Sequence, residues 1–132
     1  MEIVLITAIA LHALSGVFWA GTTFALARGR GAGAEQLRRP QLGAALVAIL
    51  SGAVLGHLTH RGVFGGAERV LAAGAGAAVL AAVIQFLAFR IGSAPAAPQP
   101  GHAPARSATA QRIAAGLLAA TVLCMVLARY AG

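Results

Sequence analysis

Four long runs of apolar residues divide this chain, and they constrain its fold more than any other feature of the sequence. The runs are Ile3 to Ala27, Leu42 to Thr59, Val70 to Phe89 and Ile113 to Ala128. A helix needs about 20 predominantly apolar residues to cross the hydrocarbon core of a bilayer. The first and third runs reach that length alone, and the other two reach it with their flanking residues. The sequence therefore predicts four transmembrane helices.

The composition excludes an ordinary soluble domain. Hydrophobic residues make up 59% of the 132 residues and charged residues only 10%, whereas a typical soluble domain is about 25% charged. The three carboxylates, Glu2, Glu35 and Glu68, are far apart in the sequence. Their scarcity argues against a paired-carboxylate acid/base site and against an all-oxygen cage for Mg²⁺ or Ca²⁺.

We predict a single domain over residues 1–132, an all-α integral membrane bundle of four antiparallel transmembrane helices. The predicted spans are 3–27, 42–64, 68–90 and 111–130. Residues 93–110 carry four Pro and many Ala, a composition that blocks a helix and cannot bury a core, so they are predicted to form a mobile linker. The first run is too long for the apolar part of a cleaved signal peptide, and no cation precedes it.

The ten cations, all Arg, predict the orientation in the membrane. Four lie in the first connection and three in the third, while the other side holds three. By the positive-inside rule the first and third connections face the cytoplasm and both termini lie outside, as for a multi-pass protein of a bacterial inner (plasma) membrane. Because the Arg residues lie at the ends of apolar runs, the net charge of +7 indicates membrane orientation and not nucleic-acid binding.

Ionisable side chains inside a membrane are costly and are candidates for function. His12 and His57 lie at similar predicted depths on the first two helices, on the outer side of each midpoint. His60 follows His57 by three residues and so lies on the same face, nearer the outside. Gln85, in the middle of the third run, is expected to make one interhelical hydrogen bond.

This arrangement suits a b-type haem, because facing helices can supply imidazole ligands to the iron. The predicted metal ligands are His12 and His57, with His60 as the other candidate for the second position. Arg61 can pair with a propionate. The remaining predicted cofactor contacts are the small residues that leave room for a macrocycle and one aromatic wall: Ser15, Gly16, Gly56 and Trp19. Each of these residues has an alternative interpretation in packing or interfacial anchoring.

The first helix, LHALSGVFWAGTTFALAR from Leu11 to Arg28, has a His early in the span, then an aromatic-Trp-Ala-Gly cluster, then an Arg at its end. It resembles the small four-helix inner-membrane proteins related to the J-type protoporphyrinogen oxidase and the copper-resistance D domain. The resemblance implies that His12 takes part in haem or porphyrin binding. The oxidase family also relies on a membrane Lys, which this chain lacks, so the resemblance implies a haem-binding relative of unknown reaction.

Two classes of function follow. In the first, the chain is a membrane haem b protein, serving electron transfer or a redox reaction linked to porphyrin or quinone; if it is an enzyme, it is a membrane oxidoreductase. In the second, it is a cofactor-free small subunit or assembly factor that packs in a homo-oligomer or a larger membrane complex through Gly and Ala faces. A proton-coupled transporter is less favoured, since the chain has only four spans and the apolar runs contain no carboxylate.

Overall fold

The computed structural model describes residues 2–59, 65–92 and 105–131, and it is all-helical over those residues. The helices are α1 (Glu2–Arg28), α2 (Ala34–Thr59), α3 (Gly66–Gly92) and α4 (Ala105–Ala128). Each is long and apolar enough to cross a membrane. The predicted number of helices and the all-α class are therefore confirmed.

Two helices begin six or more residues before their predicted spans. Helix α2 starts at Ala34, eight residues before the predicted span, and continues through Pro40. Pro40 is exposed, and its ring removes one intrahelical N–H donor without ending the helix. Helix α4 starts at Ala105, so the prediction of a linker through residue 110 was wrong for its last six residues. The predicted linker at 93–104 lies outside the described residues.

The connection between α1 and α2 is a five-residue turn closed by backbone hydrogen bonds. The Gly31 N–H donates to the Leu26 carbonyl at 2.7 Å, which is the outer bond of a Schellman cap. Arg30 occupies the left-handed position of that cap with φ 54°, where glycine is the usual residue. Gly31 and Gly33 also have positive φ, at 82° and 81°. This short turn keeps the end of α1 beside the start of α2.

Helix α3 starts with a side-chain cap. The Glu68 carboxylate accepts a hydrogen bond from the Gly65 N–H at 2.8 Å, and so satisfies a backbone donor that the helix itself leaves free. A carboxylate in the first turn also interacts favourably with the positive end of the helix dipole. The cap fixes the first residue of α3.

The four helices pack in a closed ring, in which α1 and α3 each touch α2 and α4. The main core is built largely from alanine: Trp19, Ala45, Ala48, Ala78, Ala81, Ala114 and Leu118. Such small residues let helix backbones approach closely, which is how helices associate where no water is available to drive apolar burial. Large apolar side chains such as Ile3, Leu14 and Val17 point outward and are 72–81% exposed, as expected for a surface that faces lipid.

Candidate functional site

The centre of the bundle holds a cluster of polar side chains to which all four helices contribute. Its members, here called the glutamine cluster, are Trp19 and Thr23 from α1, Gln41 from α2, Gln85 from α3 and Gln111 from α4. All five are buried, and Thr23, Gln41 and Gln85 are 0% exposed. The cluster is the largest set of polar side chains in the described core.

The indole of Trp19 sets the orientation of the cluster. Its Nε1–H can only donate, and it lies 2.8 Å from Gln85 Oε1. The amide nitrogen of Gln85 is thereby turned to the other side, where it donates to Thr23 Oγ1 and to Gln111 Oε1, both at 2.9 Å. Gln85 thus makes three interhelical hydrogen bonds, where the sequence predicted one.

Thr23 and Gln41 complete the cluster on the side of α2. Gln41 Nε2 donates to Thr23 Oγ1 at 2.9 Å, and Gln41 and Gln111 exchange two longer contacts of 3.4 Å. The Thr23 hydroxyl donates to the Trp19 carbonyl at 2.7 Å and accepts from both Gln41 and Gln85. A hydroxyl has one donor and two acceptor lone pairs, so Thr23 has no hydrogen-bonding capacity left for a ligand.

The polar groups of the interior satisfy one another. In the part of the chain that the structure describes, every buried side-chain nitrogen or oxygen has a hydrogen-bond partner. A buried polar atom without a partner costs about 1–3 kcal/mol, and such an atom would have indicated where a missing ligand binds. The described core contains none, and alanine side chains fill the adjacent space.

His12 lies against α2 and is half-buried. Its Nδ1 is 2.8 Å from the Ala48 carbonyl oxygen and 3.4 Å from Ser51 Oγ. Since a carbonyl oxygen can only accept, Nδ1 carries a proton and donates it, and in the neutral ring Nε2 is the acceptor. A Cβ built on Gly52 would lie 2.9 Å from His12 Cε1, so the imidazole occupies the space that this glycine leaves open.

His57 and Gly56 do not meet His12 in this arrangement. Both are exposed, and a Cβ built on Gly56 has no heavy atom within 4 Å. His57 follows Gly52 by five residues, which at 3.6 residues per turn places it on a different side of α2 from the glycine that His12 contacts. The described residues therefore bring His12 together with Gly52 and place His57 on another side of α2.

The other residues of α1 that were predicted to contact a cofactor either form hydrogen bonds within the chain or border open space. The Ser15 hydroxyl donates to the Leu11 and His12 carbonyls of its own helix. Gly16 is half-buried with open space at its Cβ position. Trp19 belongs to the core and to the glutamine cluster. His60 and Arg61 lie outside the described residues.

A second close approach joins α3 and α4. A Cβ built on Gly74 would lie 2.8 Å from Cys124 Cβ, and the Thr121 hydroxyl donates to the Gly74 carbonyl at 3.0 Å. The small residues of α3 were interpreted as a packing signal, and one of them, Gly74, packs against Cys124 of α4. Among the described residues, no group of three or more His, Cys, Asp or Glu side chains could hold a metal ion.

No protein-family model matches the chain, and comparison with curated proteins and with solved structures finds no significant match. The candidate site is therefore defined by its own geometry. It consists of the glutamine cluster at the centre and of His12, which is anchored on α2.

Proposed function

We propose that this chain is a multi-pass membrane protein with four antiparallel spans, which acts without a bound cofactor as a small subunit or assembly factor of a larger membrane complex. The pairing of residues along neighbouring helices supports the antiparallel arrangement. His12 meets Ala48, while Thr23, further along α1, meets Gln41, which is earlier in α2. Gly74 and Gln85 of α3 pair in the same way with Thr121 and Gln111 of α4.

The observation that carries this proposal is that the polar side chains buried between the four described helices satisfy one another. At the level of Trp19 and Thr23, the space between all four helices is filled by the glutamine cluster, whose buried polar atoms all have partners. Such a network rigidifies and specifies one arrangement of helices when it is fully satisfied. The protein can therefore fold without a prosthetic group and present its outer surface to another membrane protein.

The orientation proposed for the bundle follows from its charges. The ends of α1 and α3 and the starts of α2 and α4 meet at one end. Leu26, Ala34 and Phe89 form a common cluster there, and Arg28 and Arg112 line one groove between α1 and α4. Of the described residues, seven Arg and one carboxylate, Glu35, lie at that end. Under the positive-inside rule this end faces the cytoplasm of a bacterial cell and both termini face outward.

The test is a comparison of the protein produced in haem-replete and in haem-deficient cells. The proposal predicts the same yield of folded protein, the same unfolding midpoint and no stoichiometric Soret band in either preparation. A Soret band near one haem per chain, together with loss of folded protein in haem-deficient cells, would overturn it.

One observation favours haem binding as a second candidate function. Metal-ligating histidines usually donate the ring N–H that does not face the metal to a carboxylate or backbone carbonyl, which orients the ring. His12 has this arrangement with the Ala48 carbonyl, and the resemblance of its helix to haem-binding membrane proteins agrees with it. In this candidate Nε2 of His12 holds the iron of haem b, which when bound supplies one-electron chemistry. The role of the chain's own residues is then to fix the imidazole.

Variants of His12 separate the two candidates. The haem candidate predicts that His12→Ala abolishes a Soret band present in the parent protein, whereas His57→Ala, at an exposed position, leaves the band unchanged. If the parent has a stoichiometric band and His12→Ala keeps it with the same position and intensity, His12 is not the ligand. If the parent has no such band, the second candidate fails and the first stands.

A further inference from the structure

A groove on the outside of the bundle combines an apolar floor with two cations at one end. It lies between the last turns of α1 and the first half of α4 and is an open groove of about 520 Å³. Phe24 and Ala25 line one wall, and Ala115 and Gly116 line the other. The apolar part of the groove thus extends from its charged end toward the middle of the bundle.

The cations are Arg28 at the end of α1 and Arg112 in α4. Both side chains are exposed, and no carboxylate is among the described residues that line the groove. Two other Arg at this end lie over aromatic rings: Arg38 over Phe89 at 5.7 Å and Arg90 over Phe86 at 5.1 Å. Arg28 and Arg112 are therefore the pair that the groove presents to a ligand.

This combination matches an amphiphile with an anionic head. A guanidinium forms paired, charge-assisted hydrogen bonds with phosphate oxygens, and basic pockets between transmembrane helices on the cytoplasmic side suit anionic lipid head groups. The aromatic ring of Phe24 and the small residues Ala115 and Gly116 offer an apolar surface along which an acyl chain can lie. A Cβ built on Gly116 has no heavy atom within 4 Å, so the groove is open at that point.

We propose that this groove binds one anionic phospholipid, with its phosphate between Arg28 and Arg112 and one acyl chain along Phe24 and Gly116. The proposal rests on the membrane insertion proposed above, and it adds a specific lipid site to it. The lipid joins α1 to α4 at the cytoplasmic end, where their side chains leave the groove unfilled.

The test uses the full chain in a neutral detergent, titrated with phosphatidylglycerol or with phosphatidylcholine of the same acyl chains, and native mass spectrometry to measure occupancy. We expect one phosphatidylglycerol per chain, bound at least about tenfold more tightly than phosphatidylcholine, because the two guanidinium groups attract a lipid with a net negative charge, whereas the choline cation cancels the phosphate charge of phosphatidylcholine. Arg28→Gln and Arg112→Gln should each remove most of this preference. Arg39→Gln, at the same end but outside the groove, is the matched control and should keep it.

A second pair of variants tests the acyl-chain half of the site. Gly116→Leu fills the groove and should weaken the binding of both lipids, whereas Gly43→Leu, at another open glycine away from the groove, should not. Equal affinity for the two lipids, equal loss in Arg39→Gln, or undiminished binding in Gly116→Leu would each overturn the proposal. So would competition by glycerol phosphate at the affinity of the whole lipid, which would indicate a phosphate site without a chain.

Membrane insertion is measured separately by extracting the same membranes at alkaline pH. If the protein resists extraction but shows no lipid preference, only the lipid site fails. If the protein is extracted, the membrane proposal fails with it. The variants Arg112→Gln and Gly116→Leu give independent readings should Arg28→Gln not accumulate as folded protein.

Discussion

Replacing Gln85 by Leu tests how much of the bundle's stability resides in the glutamine cluster. The substitution keeps a side chain of similar volume at a position that is 0% exposed. It removes three hydrogen bonds, to Trp19, Thr23 and Gln111. The indole N–H of Trp19 is then left buried without an acceptor, while Thr23 still accepts from Gln41.

The expected loss can be worked from these contacts. Interhelical hydrogen bonds in a membrane contribute about 0.6 kcal/mol each on average, so three of them contribute about 2 kcal/mol. The orphaned indole adds about 1 kcal/mol or more. We therefore expect Gln85→Leu to lower the free energy of unfolding by about 3 kcal/mol. Gln41→Leu, which removes one short bond and two longer contacts, should cost about 1 kcal/mol.

The assay is reversible unfolding in mixed micelles of a neutral detergent and dodecyl sulfate, followed by circular dichroism, because variants that lack Trp19, the single Trp, must be measured in the same way. Gln36→Leu, at an exposed position of α2, is the matched control and should not shift the midpoint. A double-mutant cycle with Trp19→Phe isolates the indole term, because Gln85→Leu costs less once the donor is absent. The reasoning is refuted if Gln85→Leu unfolds at the same midpoint as Gln36→Leu, or if the cycle shows no coupling.

The remaining predictions concern helix contacts and topology. Gly74→Leu should destabilise the bundle by about 1–3 kcal/mol, because a Cβ at this position lies 2.8 Å from the Cβ of Cys124 in α4. Gly76→Leu, at a position with open space, should be neutral. Equal shifts of the unfolding midpoint in the two variants would contradict this. Gly52→Leu should displace the imidazole of His12 and change its ring NMR signals, and Gly56→Leu should leave them in place; unchanged signals in both variants would refute the contact. Tags at both termini should be accessible only from outside the cell, as measured by impermeant labelling, and labelling only after lysis would reverse the proposed orientation.

The number of helices could be predicted from the sequence because each long apolar run corresponds to one helix that is long and apolar enough to cross a membrane. The glutamine cluster could be predicted only in part. Gln85 interrupts the third apolar run and was therefore expected to make an interhelical hydrogen bond. Gln41 and Gln111 lie just before the second and fourth apolar runs begin and look like solvated flanking residues. Their burial depends on α2 and α4 starting earlier than hydropathy indicates, which is a property of the packed bundle.

The pairing of His12 could not be predicted from depth along the helices. Equal depth placed His12 beside His57, but facing also depends on rotation about each helix axis. Because the core consists largely of alanine, the core-facing side of α2 is hardly more hydrophobic than its outer side. The sequence therefore defines the rotation of α2 about its axis only weakly. The small residue Gly52 was the available signal, since a glycine at the level of an imidazole on the neighbouring helix leaves room for the ring.

The indole N–H of Trp19 reports most directly on the central claim that a glutamine cluster joins all four helices. The chain has a single Trp, so a ¹⁵N-labelled sample in micelles gives one indole cross-peak in an NMR spectrum. The account predicts that this N–H exchanges slowly with deuterium, and that Gln85→Leu shifts the peak and speeds its exchange while Gln36→Leu does neither. An indole N–H that exchanges as fast as that of free tryptophan, or a peak unmoved by Gln85→Leu, would contradict it.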